Sequence, residues 1–290
     1  MMATQWLLGL EDRKILRAAA GLGGGIGHEG DTCGALTGGI LSLGLYHRDH
    51  VCDCLYPHCM EYYHRFKRRF GSSKCRDITG VSFKAGYDIR RFFLKGMKCL
   101  TVVYTSIESV FDIVEKGAIR LPSEGRYQRR PPFHRPFPCA DVVLKRMESQ
   151  LNVDLSSIKE ISRGFSGGIA LQGDICGALM GAVLALGVLY GRDLRERHHS
   201  QLFRAGLVAM KEGSRVFHQE DLHPSFRASL RVGKLYERFV SAFGSADCLH
   251  ILGKVSPSTQ RDFCENVAQR TAQLAMEFTD VEPVAYAGEG

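Results

Sequence analysis

No apolar run in the sequence approaches the ~20 residues that a helix needs to cross a bilayer, so a membrane span is not expected. The first residues, Met1 to Arg13, hold only a short apolar patch (Trp6, Leu7, Leu8). They show neither a charged leader nor a small-residue cleavage site, and cytoplasmic residence is the expectation. Alternation of period two is scarce along the chain, which argues against a sheet protein. No Cys-x-x-Cys-His occurs, so covalent c-type haem is not expected. There is no nucleophile triad, no catalytic carboxylate pair and no phosphate loop in supporting context, and no enzyme class is assigned.

What is there is a chain of 290 residues, 44% hydrophobic and 24% charged, the balance of a globular protein. The length suits two ordinary domains, each able to bury its own core. The net charge of +7 has its densest pieces at Lys67-Arg68-Arg69 and in the Arg/Pro stretch 120–138. The first fits the solvated face of an amphipathic helix and the second a linker. Without aromatic interleaving or a binding fingerprint, nucleic acid is not an expected partner. Ten cysteines are many for a reducing compartment, where metal ligation or redox chemistry explains them better than structural disulfides.

Their positions follow an internal repeat. Gly21 to Gly38 and Gly164 to Gly181 align without a gap at an offset of 143 positions, sharing Gly-Asp-x-Cys-Gly-Ala-Leu-x-Gly around Cys33 and Cys176. The match runs on through Leu41/Leu184, Leu43/Leu186 and Gly44/Gly187. A second block, Tyr63-x-x-Phe66 leading to Phe70-Gly71 and Cys75, recurs as Tyr236-x-x-Phe239 leading to Phe243-Gly244 and Cys248. It lies 42 residues after the first block's cysteine in copy one (33 to 75) and 72 in copy two (176 to 248). Copy two therefore carries an insertion of 30 residues, placed within Ala205 to Leu230. Each copy closes on an amphipathic helix opening near a cysteine, Cys99 or Cys264. The reading is an all-α protein of two tandem helical units related by a pseudo-two-fold, with Gly-rich helix connections. Residues 1–120 form the first unit, 121–138 a Pro/Arg-rich linker and 139–282 the second.

In each glycine block the glycines permit left-handed backbone and end one helix. Asp31 and Asp174 then stand where an N-cap belongs, which puts Cys33 and Cys176 in the first turn, where free N–H groups favour a thiolate. Gly34/Gly38 and Gly177/Gly181 share a face and invite a close-packed backbone. The two blocks are expected to lie close together. The bland alternative is a tight helix pair with a buried small cysteine. Gly25-Ile26-Gly27-His28-Glu29-Gly30 has GxGxxG spacing, but helix rather than strand precedes it and copy two breaks the pattern at Ala170, so no dinucleotide site is read.

At these residues the chain resembles the family of redox-active proteins named for its C-GCAxxG-C-C cysteine pattern, as two units in tandem covering nearly all of its length. Copy two carries all four cysteines, Cys139, Cys176, Cys248 and Cys264. Copy one carries three, Cys33, Cys75 and Cys99. What the resemblance implies is redox activity, with four thiols suited to an iron–sulfur cluster. A related domain occurs in split-Soret cytochromes, where a [2Fe–2S] site has been proposed. Copy one has either lost its fourth ligand or replaced it from Cys52, Cys54 or Cys59, which share a short tract with His47, His50, His58 and His64. The paired His198-His199 and the lone His218 and His223 are read as surface residues.

Three functions stay open. The first is electron transfer or redox sensing through a [2Fe–2S] cluster in copy two. The second is thiol–disulfide exchange, with Cys176 or Cys33 attacking. The third is structural zinc in a helical scaffold. The partners left open are a redox partner and a second copy of the chain in a homodimer.

Overall fold

The computed structural model describes residues 1–48, 54–81, 89–116, 137–192, 208, 224–253 and 255–280, without the side chains of 89–97 and 224–225. Among these residues the chain is helical throughout. Copy one comprises α1 (Met2–Leu7), α2 (Arg13–Ala18), α3 (Gly34–Tyr46), α4 (Leu55–Phe70), α5 (Cys75–Thr79) and α6 (Ile89–Glu115). Copy two comprises α7 (Cys139–Leu151), α8 (Ser156–Ile161), α9 (Gly177–Tyr190), α10 (Pro224–Phe243), α11 (Cys248–Leu252) and α12 (Gln260–Met276). The elements recur in the same order. At the offset of the glycine blocks, α1 corresponds to the later residues of α7.

Helices α3 and α9 are apolar on every side, and such helices must be buried. Every residue of α9 from Gly177 to Val188 is buried. The flanking helices α4, α6, α10 and α12 are two-faced, and Lys67, Arg68 and Arg69 lie on the exposed face of α4 as the sequence predicts.

Between the first and third helices of each copy runs a left-handed turn. Gly24 to His28 have φ of 63°, 78°, 60°, 60° and 67°, and Gly167 to Leu171 have 62°, 73°, 59°, 46° and 66°. Left-handed geometry costs a residue with a side chain about 1–2 kcal/mol, and copy two accepts it at Ile169, Ala170 and Leu171 in succession. Amide closures hold it: Gly30 N–H donates to Gly24 O and Asp31 N–H to Gly25 O, each at 3.0 Å, with the same two distances at Gly173 and Asp174. A methyl on Gly25 or Gly168 would sit 2.5 or 2.4 Å from the carbonyl oxygen of Asp31 or Asp174, so no side chain fits there.

The two copies do not bury separate cores. Gly44 of α3 packs so closely on the end of α8 that an added methyl would lie 2.1 Å from Ile161 O. Its counterpart Gly187 packs on α2, where the methyl would lie 2.2 Å from Ala18 O. Ala18 and Ile161 are themselves counterparts, so the exchange is reciprocal, and one hydrophobic core runs through both copies. Neighbouring glycines let helices cross at this distance, which a single-copy reading cannot anticipate.

Two further placements differ from expectation. Helix α6 begins at Ile89, so Cys99 sits inside it rather than at its opening. The 30-residue insertion precedes α10: Pro224 to Leu230 are helical, and most of the rest falls outside the described residues. Residues 121–136 of the linker, and His198, His199, His218 and His223, also lie outside them. No described helix is long and apolar enough to cross a membrane.

Candidate thiol centres

An antiparallel bridge, Thr32 to Lys74 in copy one and Ile175 to Asp247 in copy two, ties the chain beside the glycine-block cysteine to the chain beside the Phe-Gly cysteine. Cys33 N–H donates to Ser73 O at 2.8 Å and Cys75 N–H to Asp31 O at 2.7 Å. In copy two Cys176 N–H donates to Ala246 O and Cys248 N–H to Asp174 O, both at 2.7 Å. The bridge makes Thr32 and Ile175 extended, so Cys33 and Cys176 become the residues immediately before their helices. Asp31 and Asp174 are therefore not the N-caps that the sequence predicts. Their carboxylates are drawn away from the helix toward the middle of the molecule.

In copy two the four family cysteines come together. Cys139 opens α7, and its thiol shares a hydrogen bond with that of Cys264 on α12. Cys176 and Cys248 stand near enough for their charges to act on the same pair. Cys139, Cys176 and Cys248 are buried and Cys264 is half-buried. In copy one Cys33, Cys75 and Cys99 likewise act on one another in every pairing.

The expected lowering of the first-block thiols is reversed. Burial pushes Cys33 up and Cys176 up to about 11, outweighing the amides of Ala35 and Leu36, or of Leu179 and Ala178, that favour the thiolate. Burial and the neighbouring Cys33 push Cys75 up to about 12. Cys248 is pushed up by burial and by Cys176 and Cys264, and Cys99 by burial. Only Cys264 is lowered, because Cys139 donates to it while Cys139 itself is raised. A helix start does favour an anion, but apolar surroundings disfavour it more.

Of the Cys/His tract's cysteines, the two described ones, Cys54 and Cys59, lie away from this trio. Cys59 is fully buried against Gly164, where an added methyl would lie 3.0 Å from its Sγ. Cys54 precedes α4, beside the far end of α3, a helix about 20 Å long that starts at Cys33. Cys52 and His50 are outside the described residues. His47 and His58 are buried and face each other, Nε2 to Nδ1, at 2.8 Å.

Between the two centres lies a charged cluster that the sequence reading missed. Lys74 Nζ reaches Asp31 at 2.7 Å, Asp174 at 3.1 Å and Asp247 at 2.5 Å. Tyr63 donates to Asp174 at 2.9 Å, and its counterpart Tyr236 donates to Asp31. Thr32 Oγ1 donates to Asp174 at 2.8 Å. Burial pushes both Asp31 and Asp174 up, but the Lys74 ammonium wins and holds them below their ordinary value. The three carboxylates lie within 4.8 Å of one another, and the cation they surround is Lys74 itself. The signal for this cluster was the paired Tyr63 and Tyr236, with Lys74 and Asp247 as residues of opposite charge at matching positions.

Fold and site together define a duplicated helical protein built around two internal thiol sets. The profile of the family described as "Putative redox-active protein (C_GCAxxG_C_C)" matches residues 1–113 and again 137–278, and the chain belongs to that family. It is also similar to an uncharacterized protein of Archaeoglobus fulgidus, 27% identical over 146 residues that cover 48% of this chain and 82% of the relative. No solved structure matches it.

Proposed function

We propose that the protein holds a [2Fe–2S] cluster on Cys139, Cys176, Cys248 and Cys264 and uses it for electron transfer or redox sensing. The observation that carries this reading is the gathering of four thiols in surroundings where burial and neighbouring thiols push Cys139, Cys176 and Cys248 up. Such a set is unfavourable as free thiolates and favourable around a cationic iron–sulfur core. A two-iron cluster takes its ligands as two separated pairs, and it supplies one-electron chemistry. The chain's part is to enclose the sulfurs and keep water out.

Thiol–disulfide exchange is supported by the Cys139–Cys264 pair alone, with the lowered Cys264 as the attacking thiolate. The raised Cys33 and Cys176 speak against either of them in that role.

Anaerobic purification with iron, sulfide and zinc analysis tests the reading. The expected result is visible charge-transfer absorption and about two irons per chain bound by copy two. Cys176→Ser removes most of that iron, and Cys33→Ser removes less. Stoichiometric zinc, or no metal together with a reversibly titrating dithiol, overturns it.

A further inference from the structure

The thiols of copy one border a cavity at a place that is filled in copy two. In copy two the start of α7 fills this place: a methyl on Gly177 would lie 3.2 Å from Cys139 Cβ, and one on Gly181 2.7 Å from Ala140 O. In copy one a methyl on Gly38, the counterpart of Gly181, would meet nothing within 4 Å. A cavity of about 520 Å3 opens there, bordered by Cys33, Cys75, Cys99, Gly38 and Val103. No carboxylate, lysine or arginine is among its described lining residues.

We propose that this cavity binds an uncharged, largely apolar small molecule and seats it against the thiols of Cys33, Cys75 and Cys99. The volume falls within the range of small-molecule sites, and the wall is mostly thiols and apolar carbon, with the His28 imidazole and the Thr79 hydroxyl as its polar side chains. The glycine at 38 has a cost in helix stability that no packing contact explains, and its effect is to keep the space free. The two thiol sets then differ in setting: α7 packs over the first-block cysteine in copy two, whereas the corresponding place in copy one is open space that a solute can enter. The binding site rests on the cavity alone and holds whether or not either copy carries iron.

The test uses the reduced, metal-free full-length chain and the uncharged fluorescent probe N-phenyl-1-naphthylamine. Fluorescence should saturate at one site. At a probe concentration about ten times its dissociation constant, alkylation of Cys99 should slow about tenfold while Cys264 keeps its rate. Gly38→Leu, which fills the cavity, should abolish both effects with an unchanged far-UV circular dichroism spectrum. A titration that does not saturate, an unprotected Cys99 in the wild type, or undiminished binding in a folded Gly38→Leu overturns the proposal. Should Gly38→Leu not fold, the Cys99 rate in the wild type decides alone.

Discussion

Lys74 is the one cation that the described side chains place among Asp31, Asp174 and Asp247, so its removal leaves carboxylates buried without compensation. Breaking a buried ion pair from one side costs about 3–5 kcal/mol, and Lys74→Met should lose that much in urea unfolding at pH 7. The pH dependence has a definite sign. In the wild type Asp31 and Asp174 are held below 3.8, so their contribution is present above that value and is lost as pH falls through their folded pKa. In Lys74→Met the same carboxylates gain by protonation, so the deficit should narrow between pH 7 and 4.5. A deficit that widens would show that the ammonium is not what stabilises them. Cys176 has the opposite sign. Its folded pKa is raised from 9.0 to about 11, so it contributes fully below pH 9 and loses its contribution as pH rises toward 11. Cys176 alone should account for roughly 3 kcal/mol of what the metal-free protein loses over that window, and Cys176→Ala should lose correspondingly less. The cysteine positions were legible in the sequence because two copies repeat them. The direction of their pKa shifts was not, because a helix start is a local feature whereas burial depends on the whole fold.

Glycines at matching positions in α3 and α9 have different surroundings, and this makes an internal control. Gly181→Ala would press a methyl onto Ala140 O and should cost about 2–3 kcal/mol. Gly38→Ala meets open space and gains helix propensity, so it should stabilise by up to about 1 kcal/mol. Thermal melts of both variants check the pair, and equal losses would mean that the space beside Gly38 is not there. The helices themselves were readable from composition and spacing: α3 and α9 by their apolar runs, α4 and α10 by their two-faced pattern, α7 by the run after the last proline. What could not be read was how Asp31 behaves. An aspartate directly before a helix usually caps it, but here the bridge between Thr32 and Lys74 holds the chain extended, the helix starts three residues later at Gly34, and the carboxylate reaches Lys74 and Tyr236 instead. That bridge joins residues 42 positions apart, beyond the reach of any local pattern.

The whole molecule is held together by contacts that cross between the copies: Gly44 on Ile161, Gly187 on Ala18, Tyr63 to Asp174 and Tyr236 to Asp31. The sequence reading of two units with a core each is thereby corrected. Calorimetry should show one transition, with calorimetric and van't Hoff enthalpies equal. Residues 1–116 and 137–280 expressed apart should each fail to fold, and should regain helix content when mixed. Two separate transitions would restore the two-domain picture. The residue facing Asp247 at the matching position is Lys74, and this has an evolutionary consequence. A chain made of copy two twice would gather four carboxylates at the centre with no ammonium, whereas copy one twice would balance two against two. Once Asp247 had replaced a lysine, or Lys74 an aspartate, the halves ceased to be spare parts for each other. Recombination that overwrites the first repeat with the second is penalised at that single point, so the duplication can diverge further but cannot be levelled in that direction.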